Sequence, residues 1–275
     1  MALLEVAQSQ FGPDPVVGDG RGEVLVRLHR VAHTFGNGTR ALDDVSLDIR
    51  RGEFLSLVGP SGCGKSTIMR MIAGLTRPSE GEIRMVGAEG DRQDVSIVFQ
   101  DATLLPWRTV LANVALPLEL RHVSRREREA AARAAIELVG LRRQIRVLPR
   151  QLSGGMRMRV SIARALVSHP PLLLMDEPFG ALDEITRQQL QNELLRIWSQ
   201  ERCTIVFVTH SVMEAVFLST RIAVMTPSPG RIADVFNVPI PYPRSDDLRT
   251  APEFSSQVAA VSRSLHRNMA GEASC

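Results

Sequence analysis

Lysine is almost absent from this sequence of 275 residues. Only Lys65 is a lysine, and the other 32 of its 33 lysine and arginine residues are arginines. Cysteine is scarce as well: Cys63, Cys203 and Cys275 lie far apart and lack metal-ligand spacing, so they imply no zinc site and favour a reducing compartment. No run reaches the roughly 18 apolar residues that a membrane-spanning helix needs. We therefore expect any membrane role to depend on a partner protein.

The charge balance gives no sign of a nucleic-acid surface. The formal net charge is only +3, with 44% apolar and 23% charged residues. This composition suits one large α/β domain, or one domain with a helical insert, and excludes a disordered chain. The densest basic cluster, from Arg121 to Arg133, is interrupted by Glu127 and Glu129, which is typical of a solvated helix face. We expect no nucleic-acid partner.

The single lysine lies in a Gly-rich segment that fits the phosphate-binding pattern G-x-x-x-x-G-K-[ST]. Its glycines let backbone N–H groups turn toward anionic oxygens, and the N-terminus of the following helix adds a partial positive charge. We expect Lys65 to contact the β and γ phosphates of a nucleotide, Ser66 to ligate Mg²⁺, and Cys63 to contribute only its backbone. The predicted ATP-binding residues of this phosphate loop are Gly59, Pro60, Ser61, Gly62, Cys63, Gly64, Lys65, Ser66 and Thr67.

Two carboxylates follow a second apolar run. Leu172 to Met175 is typical of a buried strand, and Asp176 and Glu177 come directly after it. The carboxyl edge of a parallel sheet delivers such side chains to a ligand crevice. Taken alone, such a pair is more often an ordinary strand end. After a phosphate loop, we expect Asp176 to hold Mg²⁺, directly or through water, and Glu177 to polarise an attacking water.

A second helix start carries the features of an anion site. The segment Leu152 to Met156, called here the signature segment, precedes a helix predicted at 157–166 and offers a hydroxyl and exposed amides. One nucleotide does not need two such loops in one subunit. The alternative is a plain helix cap with a Gly-Gly turn.

Hydrophobic patterns divide the chain. Strand patterns lie before residue 104 and after residue 172, whereas the stretch between about 104 and 151 has only helical runs. We expect a nucleotide-binding domain at 23–240 with an all-helical insert at about 104–151, a flexible N-terminal extension at 1–22 and a C-terminal tail at 241–275. The predicted strands are 23–28, 45–49, 54–58, 172–175, 204–208, 221–225 and 231–237; the predicted helices are 68–73, 110–120, 124–139 with a Ser124 cap, 157–166, and a further one with its apolar face at Ile185, Leu190, Leu194 and Trp198.

With these motifs the chain resembles the ATP-binding subunits of ABC transporters, from about Val24 to Ile232. The resemblance implies an α/β fold of the P-loop NTPase type, with a mostly parallel core sheet, an antiparallel β part near the N-terminus and the helical insert. The motifs occur in that family's order: Walker A at 59–67, the Q-loop glutamine at Gln100, the signature segment at 152–156, Walker B with Asp176 and Glu177, the D-loop at 181–183 and the switch histidine at His210.

The resemblance also implies roles for residues that carry little information alone. In that family the equivalent of Gln100 links Mg²⁺ and the attacking water to the membrane subunit, and the equivalent of His210 contacts the γ-phosphate. Phe35 matches an aromatic residue that stacks on adenine. Without the resemblance, His210 would be interpreted as a surface histidine and Phe35 as a core residue. The remaining implied site residues are Ser153, Gly154 and Gly155, which contact the ATP of the opposite subunit, and Asp183 of the D-loop.

One signature position departs from the family pattern. The fifth residue of the signature segment, usually glutamine in the family, is Met156. Methionine at this position is similar to the importer branch for nitrate, sulfonate and taurine. The stretch 103–114 is similar to that branch as well. Its residues Leu104, Leu105 and Trp107 either pack the helical insert or form part of a groove that receives a helix of the membrane subunit.

The implied function is hydrolysis of ATP with Mg²⁺, coupled to import of a small nutrient. The implied partners are a second copy of the chain, integral membrane permease subunits and, indirectly, a substrate-binding protein, at the cytoplasmic face of the inner membrane. A soluble ABC ATPase acting on DNA or ribosomes is the alternative, but such families usually carry two cassettes or a long coiled-coil insert. A P-loop kinase is a second alternative, and it would have no use for the segment 152–155.

Overall fold

The computed structural model describes residues 22–86 and 95–270. The expected flexible extension at 1–22 therefore lies, apart from Gly22, outside the described residues. The described ranges contain nine strands: β1 (Val24–Thr34), β2 (Arg40–Arg50), β3 (Phe54–Val58), β4 (Glu80–Met85), β5 (Val95–Val98), β6 (Leu172–Asp176), β7 (Thr204–Thr209), β8 (Arg221–Met225) and β9 (Ile232–Asn237). Their α-helices are α1 (Lys65–Ile72), α2 (Val110–Leu120), α3 (Arg125–Leu138), α4 (Gly154–Leu166), α5 (Glu184–Glu201), α6 (Val212–Leu218) and α7 (Pro252–Ala270).

The strands form two sheets. The larger has the order β5-β6-β7-β3-β8-β9, and every neighbouring pair is parallel except β8 with β9. The smaller is antiparallel, with the order β2-β1-β4. The expectation of a mostly parallel core sheet with an antiparallel part near the N-terminus is confirmed. The continuous apolar runs of β3, β6, β7 and β8 follow from this arrangement, because a parallel sheet is covered on both faces.

The register of the large sheet decides where the site lies. Val58, the last residue of β3, pairs with Thr209, the last residue of β7. Asp176, at the end of β6, pairs with Val208 of β7. The loops that leave these three strands therefore start at one edge of the sheet. This is the edge where open α/β sheets bind ligands.

Alternate residues of the strands belong to two different apolar cores. Leu55 and Leu57 of β3 pack with the antiparallel sheet and α1, whereas Phe54 and Val58 pack with the helical side of the molecule. This alternation follows from the twofold period of a strand. The phosphate loop thus leaves a strand that is buried on both faces, which holds its first residue rigidly.

The region from 104 to 151, all of which is described, contains α2, α3 and two short 3₁₀ turns at Arg142–Gln144 and Pro149–Gln151, without a strand. The expected Ser124 cap is present, because its hydroxyl accepts the N–H of Glu127 at 3.4 Å and donates to that glutamate's carboxylate at 2.7 Å. Two hydrogen bonds thus join the cap residue to the third residue of α3. Helix α3 starts where this cap predicted.

The segment after residue 240, for which the sequence predicted no element, contains a long helix. A 3₁₀ turn at Asp246–Thr250 leads into α7, where Phe254 and Val261 are buried. Ahead of it, the buried guanidinium of Arg244 donates to the carbonyl oxygens of Val216, Phe217, Ser219 and Ile240. The described part of this segment is packed onto α6, β8 and β9.

Candidate active site

The phosphate loop connects β3 to α1 by a backbone that only glycine tolerates at two points. Gly62 and Gly64 have φ of +80° and +95°, and a Cβ on Gly64 would collide with Leu42. Gly59 is also tight, since a Cβ there would lie 2.8 Å from Cys63 Sγ. Helix α1 has no side-chain cap. Its first N–H groups are therefore available to an anion at the helix N-terminus.

Lys65 is folded into this loop. Its side chain is buried, and Nζ donates to the carbonyl oxygens of Gly59 at 2.8 Å and Pro60 at 2.7 Å. It also lies 3.7 Å from the sulfur of Cys63. Burial raises the pKa of the Cys63 thiol above its ordinary value despite the nearby ammonium. A buried thiol with a raised pKa is a poor nucleophile, in agreement with the expectation that Cys63 supplies only its backbone.

Gly230 is a residue of this site that the sequence analysis did not find. A Cβ there would collide with the carbonyl oxygen of Cys63. Its backbone donates to Ala41 at 2.9 Å and accepts from Asp43 at 3.0 Å. Gly230 therefore supports the phosphate loop from the antiparallel side. The residue order Ser228-Pro229-Gly230 predicts a turn that depends on its glycine. Nothing in the sequence shows which loop this turn contacts.

Ser66 and Asp176 meet at the sheet edge. The Ser66 hydroxyl donates to Asp176 Oδ1 at 3.0 Å. Burial raises the pKa of Asp176, partly offset by this hydrogen bond, and the nearby charge of Glu177 raises it further. A hydroxyl oxygen beside a carboxylate that is deprived of water is a donor set that suits Mg²⁺. The residues present therefore fit the expected metal.

Glu177 and His210 form a pair above the ends of β6 and β7. Oε2 of Glu177 lies 3.2 Å from Nδ1 of His210. Glu177 has a φ of +46°, in the left-handed region that is unusual for a glutamate, and its N–H donates to the Val208 carbonyl oxygen at 3.0 Å. Strained backbone of this kind is concentrated at functional sites. The sheet thus fixes the carboxylate that the sequence predicted as the base.

Gln100 lies beside the loop that follows Glu177. It is exposed just after β5, and a Cβ on Gly180 would lie 3.2 Å from Gln100 Nε2. The segment after Gln100 is held by Arg164 of α4, which donates to the carbonyl oxygens of Ala102 and Thr103 at 2.9 Å each. Arg164 is a second residue that the sequence analysis missed. It fastens the segment after Gln100 to the helix that begins at the signature segment.

The signature segment is a capped helix start. The Ser153 hydroxyl accepts the N–H of Met156 at 3.2 Å. Gly155 is buried, and a Cβ there would lie 2.6 Å from Thr186 Cγ2 of α5, so close packing of α4 on α5 requires this glycine. Met156 is half-buried against the helical core. Its side chain therefore packs inward, while Ser153 and Gly154 stay exposed.

Two further expected residues lie at the surface. Asp183 caps α5 by accepting the N–H of Thr186 at 3.0 Å, and that backbone hydrogen bond holds the pKa of its carboxyl below the ordinary value. Phe35, at the turn between β1 and β2, has 43% of its surface exposed and touches the ring of His33 edge-on at 5.0 Å. An exposed aromatic ring supported by a second ring is open to stacking.

The structure brings one group of predicted residues together and leaves another apart. The phosphate loop, Asp176, Glu177 and His210 share one sheet edge. Among the described residues, no hydrogen bond joins Ser153, Gly154 or Gly155 to the phosphate loop. No helix in the described ranges is both long enough and apolar enough to cross a membrane.

Comparison with known proteins gives the family. Residues 42–180 match the ABC transporter family. A taurine import ATP-binding protein of Rhizobium johnstonii is 44% identical over 86% of this chain and 92% of its own length. An aliphatic sulfonates import ATP-binding protein of Bacillus licheniformis is 45% identical over 81% of this chain and 87% of its own.

A solved structure agrees with these relatives. A dimeric ATP-binding cassette in a post-hydrolysis state, bound to ADP and phosphate, superposes with a TM-score of 0.68 and 35% identity over 78% of this chain and 98% of the cassette. The P-loop NTPase fold expected from the sequence is thereby confirmed. The chain belongs to the ABC transporter family as an ATP-binding, ATP-hydrolysing cassette.

Proposed function

We propose that two copies of this chain bind two ATP molecules between them and hydrolyse them to energise import of a small nutrient through a separate permease. The observation that carries this proposal is the split of the site. Lys65, Asp176 and Glu177 share one edge of the sheet, whereas Ser153 and Gly154 stand exposed at another helix start without a hydrogen bond to them. A head-to-tail pair would place the signature segment of one subunit over the phosphate loop of the other.

The residues at the sheet edge divide the chemistry. Lys65 and the N–H groups of the phosphate loop bind the β and γ phosphates, and Glu177 accepts the proton of the attacking water. His210 orients Glu177 and contacts the γ-phosphate. Ser66, Asp176 and Gln100 would hold Mg²⁺, which neutralises charge on the phosphate oxygens when bound. Catalysis in this scheme is mostly positioning and electrostatic stabilisation.

Residues exposed in one subunit complete the site of the other. Ser153, with the amides of Gly154 and Gly155, would bind the γ-phosphate from the opposite side at the N-terminus of α4. Asp183 lies at the adjacent start of α5 and would face the partner subunit. Phe35 would stack on the adenine ring in its own subunit.

The permease would dock beside Gln100. Trp107 is 73% exposed, and large exposed aromatic residues are typical of interaction sites. The chain would then be a peripheral subunit on the cytoplasmic face of the inner membrane, with an indirect link to a substrate-binding protein. The soluble alternative finds no support in the insert, whose longest helix, Arg125–Leu138, has 14 residues and is too short for a coiled-coil arm.

The names of the relatives suggest taurine or another sulfonate as the solute, and nitrate belongs to the same branch. Uptake of labelled taurine, an alkanesulfonate and nitrate should be compared in cells that lack the encoding gene and carry either the wild-type chain or Glu177→Gln. We expect the wild-type chain alone to restore uptake of one of these small anions. Unchanged uptake of all three in the gene-deleted cells would contradict the proposed solute class, and restoration by Glu177→Gln would contradict the ATP-driven mechanism.

A further inference from the structure

Glu214 is a buried carboxylate that lies directly behind the switch histidine. Its side chain is 11% exposed and belongs to the first turn of α6. Oε2 accepts a hydrogen bond from the Thr209 hydroxyl at 2.5 Å, and that hydroxyl oxygen accepts the N–H of Ser211 at 3.0 Å. Thr209 and Ser211 flank His210 in the chain. The carboxylate therefore fixes both neighbours of the residue that contacts Glu177.

The other oxygen of this carboxylate faces helix α5. Oε1 accepts a hydrogen bond from Gln191 Nε2 at 3.1 Å and lies 3.7 Å from Arg187 Nε. Arg187 also donates through a terminal nitrogen to the carbonyl oxygen of Leu182 at 2.9 Å, inside the D-loop at 181–183. Through Thr209 on one side and Arg187 on the other, the Glu214 side chain thus connects the segment around His210 with the D-loop.

The contact with Arg187 is incomplete. Its Nε is buried and makes no hydrogen bond within the described part of the chain. The 3.7 Å to Glu214 exceeds the hydrogen-bond range of about 2.7–3.2 Å. A buried N–H without an acceptor is costly, so a displacement of well under an ångström that closes this gap is favoured. The contact can therefore respond to movement at either end.

Gln191 gives the network a fixed support. Its Oε1 accepts a hydrogen bond from Arg249 at 2.8 Å, and the Arg249 guanidinium stacks 3.7 Å from the centre of the Phe217 ring. Arg249 belongs to the C-terminal segment that packs against α6. With Gln191 held in this way, Glu214 is anchored on one side and can adjust toward Arg187 on the other.

We propose that Glu214 is a positioning residue for ATP hydrolysis, which couples the placement of His210 to the placement of the D-loop. This proposal rests on the proposed function, because the D-loop can transmit information only if it faces a partner subunit. A displacement of the D-loop passes through Arg187 to Glu214 and then to Thr209, next to the switch histidine. ATP binding at the phosphate loop does not depend on this path.

The first test is Glu214→Gln, which keeps the shape of the side chain and removes its charge. We expect kcat to fall about 10- to 100-fold, because misplacing the reacting groups by an ångström has an effect of this size. The KM for ATP should change less than about twofold, since the lost interaction acts only on the reaction step. A rise in KM with kcat unchanged would overturn the proposal.

Glu53→Gln is the matched control. Glu53 is also a buried glutamate, 2.8 Å from its partner Arg221, but it precedes β3 at the opposite end of the sheet. We expect this variant to lose stability and to keep the wild-type kcat at a temperature where it is folded. An equal loss of kcat in Glu53→Gln and Glu214→Gln would show that only general stability is affected, which would overturn the proposal.

A second pair of variants covers the case in which Glu214→Gln does not fold. Thr209→Val removes the hydroxyl that bonds to the carboxylate and keeps the side-chain volume, whereas Thr209→Ser keeps the hydroxyl. We expect kcat to fall in Thr209→Val and to remain near the wild-type value in Thr209→Ser. Equal kcat in the two variants would contradict a role for this hydrogen bond.

The path through Arg187 is tested by a double-mutant cycle. If Arg187 and Glu214 act in series, Arg187→Gln combined with Glu214→Gln should lower kcat no further than Glu214→Gln alone, whereas additive losses would overturn the path. ATP-driven dimerisation of Glu177→Gln tests the proposed function separately. Absence of that dimer would overturn both proposals, while a dimer together with normal kcat in Glu214→Gln would overturn the coupling alone.

Discussion

Lys65 is a buried ammonium that bonds to carbonyl oxygens and to no carboxylate in the described residues. A buried charge is costly unless it is paired. The dipoles of Gly59 and Pro60 satisfy part of its hydrogen bonding, and the charge of Asp176 acts on it without a direct ion pair among the described residues. An anion that enters the phosphate loop would pair with it directly. Binding of phosphate therefore relieves a cost that is already present in the fold.

This argument predicts that Lys65→Ala abolishes hydrolysis. Removal of one charge-assisted donor to the reacting group costs at least about 10²-fold in kcat. Lys65→Arg should not restore turnover, because the planar guanidinium does not fit the space between the Gly59 and Pro60 carbonyl oxygens. A colorimetric phosphate assay at saturating ATP measures both variants. Near-normal turnover of Lys65→Arg would contradict the assigned role.

The scarcity of lysine supplies an independent check on the wild-type protein. An amine-reactive reagent can modify only Lys65 and the N-terminal amine. ATP with Mg²⁺ should protect Lys65 and leave the labelling of the N-terminus unchanged, which mass spectrometry of the digested protein resolves. Equal labelling of Lys65 with and without nucleotide would argue against its contact with the phosphates.

Single residues differ in how well the sequence predicts them. Lys65 and Asp176 stand in motifs whose chemistry can be inferred from residue type and order, whereas the role of His210 is implied only by the family resemblance. Gly230 and Arg164 act through contacts with segments more than 60 residues away along the chain, at Cys63 and Thr103. No local pattern encodes such a contact, so only the fold shows it. Which residues touch ATP stays a prediction.

At the scale of elements, the loop ahead of α2 is held rigidly. Buried Asn113 accepts the N–H of Leu105 at 2.7 Å and donates to the carbonyl oxygens of Leu105, Arg108 and Thr109 at 3.0–3.1 Å. These hydrogen bonds fix the backbone on both sides of Trp107. Its side chain is therefore exposed on a backbone that is held in place. A preorganised aromatic side chain loses little entropy on binding and suits an interface anchor.

We expect Trp107→Asp to leave ATP binding intact and to detach the subunit from its permease. Loss of a central aromatic anchor costs about 2 kcal/mol or more of binding free energy, or roughly 30-fold in affinity. Leu120→Asp is the matched control, because Leu120 is 71% exposed in the same insert. Co-purification with the permease, with circular dichroism for folding, measures the effect. Equal retention of both variants would contradict docking at Trp107.

Leu105→Asp tests whether Leu105 packs the helical insert or forms part of a groove that receives a helix of the membrane subunit. Leu105 is half-buried, and Leu104 packs on the helical core. If Leu105→Asp unfolds the protein while Trp107→Asp does not, the leucine belongs to the insert and the tryptophan to the surface. The apolar residues of this loop then divide between the two alternatives instead of sharing one role.

Most of the elements with a strong local pattern were predicted, but β4, β5, α6 and α7 were not. β4 was missed because Glu80, Glu82 and Arg84 make it polar. Its strand conformation follows from its pairing with β1 and not from a local sequence pattern. Helix α7 was missed behind a proline-rich stretch. Pro252 at its first position is a recognised helix start, so that boundary was available from the sequence. The domain boundary at 240 stays a prediction.

At the scale of the whole molecule, the chain carries two helix starts suited to an anion, at α1 and α4. Of these two, in the part of the chain that the structure describes, α1 is the one beside Asp176, and Glu177 follows Asp176 directly. One ATP bound between the start of α1 in one subunit and the start of α4 in the other would link the two subunits. Hydrolysis would remove the γ-phosphate that both helix starts bind. Glu177→Gln keeps the side-chain shape and removes the base, at a cost of at least roughly 10²- to 10⁴-fold in rate.

We therefore expect Glu177→Gln to form a long-lived dimer when ATP is added. Size-exclusion chromatography with and without ATP, followed by light scattering, measures the oligomeric state. The wild-type chain is the control and should dimerise only transiently, because it hydrolyses the shared nucleotide. A monomeric Glu177→Gln at saturating ATP would argue against a nucleotide-linked pair in the isolated subunit.

Adding Gly154→Asp to Glu177→Gln tests whether the signature segment faces the partner's ATP. The single chain can accommodate the new side chain, because a Cβ at Gly154 has no neighbour nearer than Leu182 at 3.5 Å, an ordinary contact. In the dimer the new carboxylate would oppose the γ-phosphate, and like charges repel strongly in a poorly solvated interface. The double variant should bind ATP and stay monomeric, whereas Gly154→Asn, of equal size and without charge, should weaken the dimer much less. A dimer that survives Gly154→Asp would mean that the signature segment is only a helix cap.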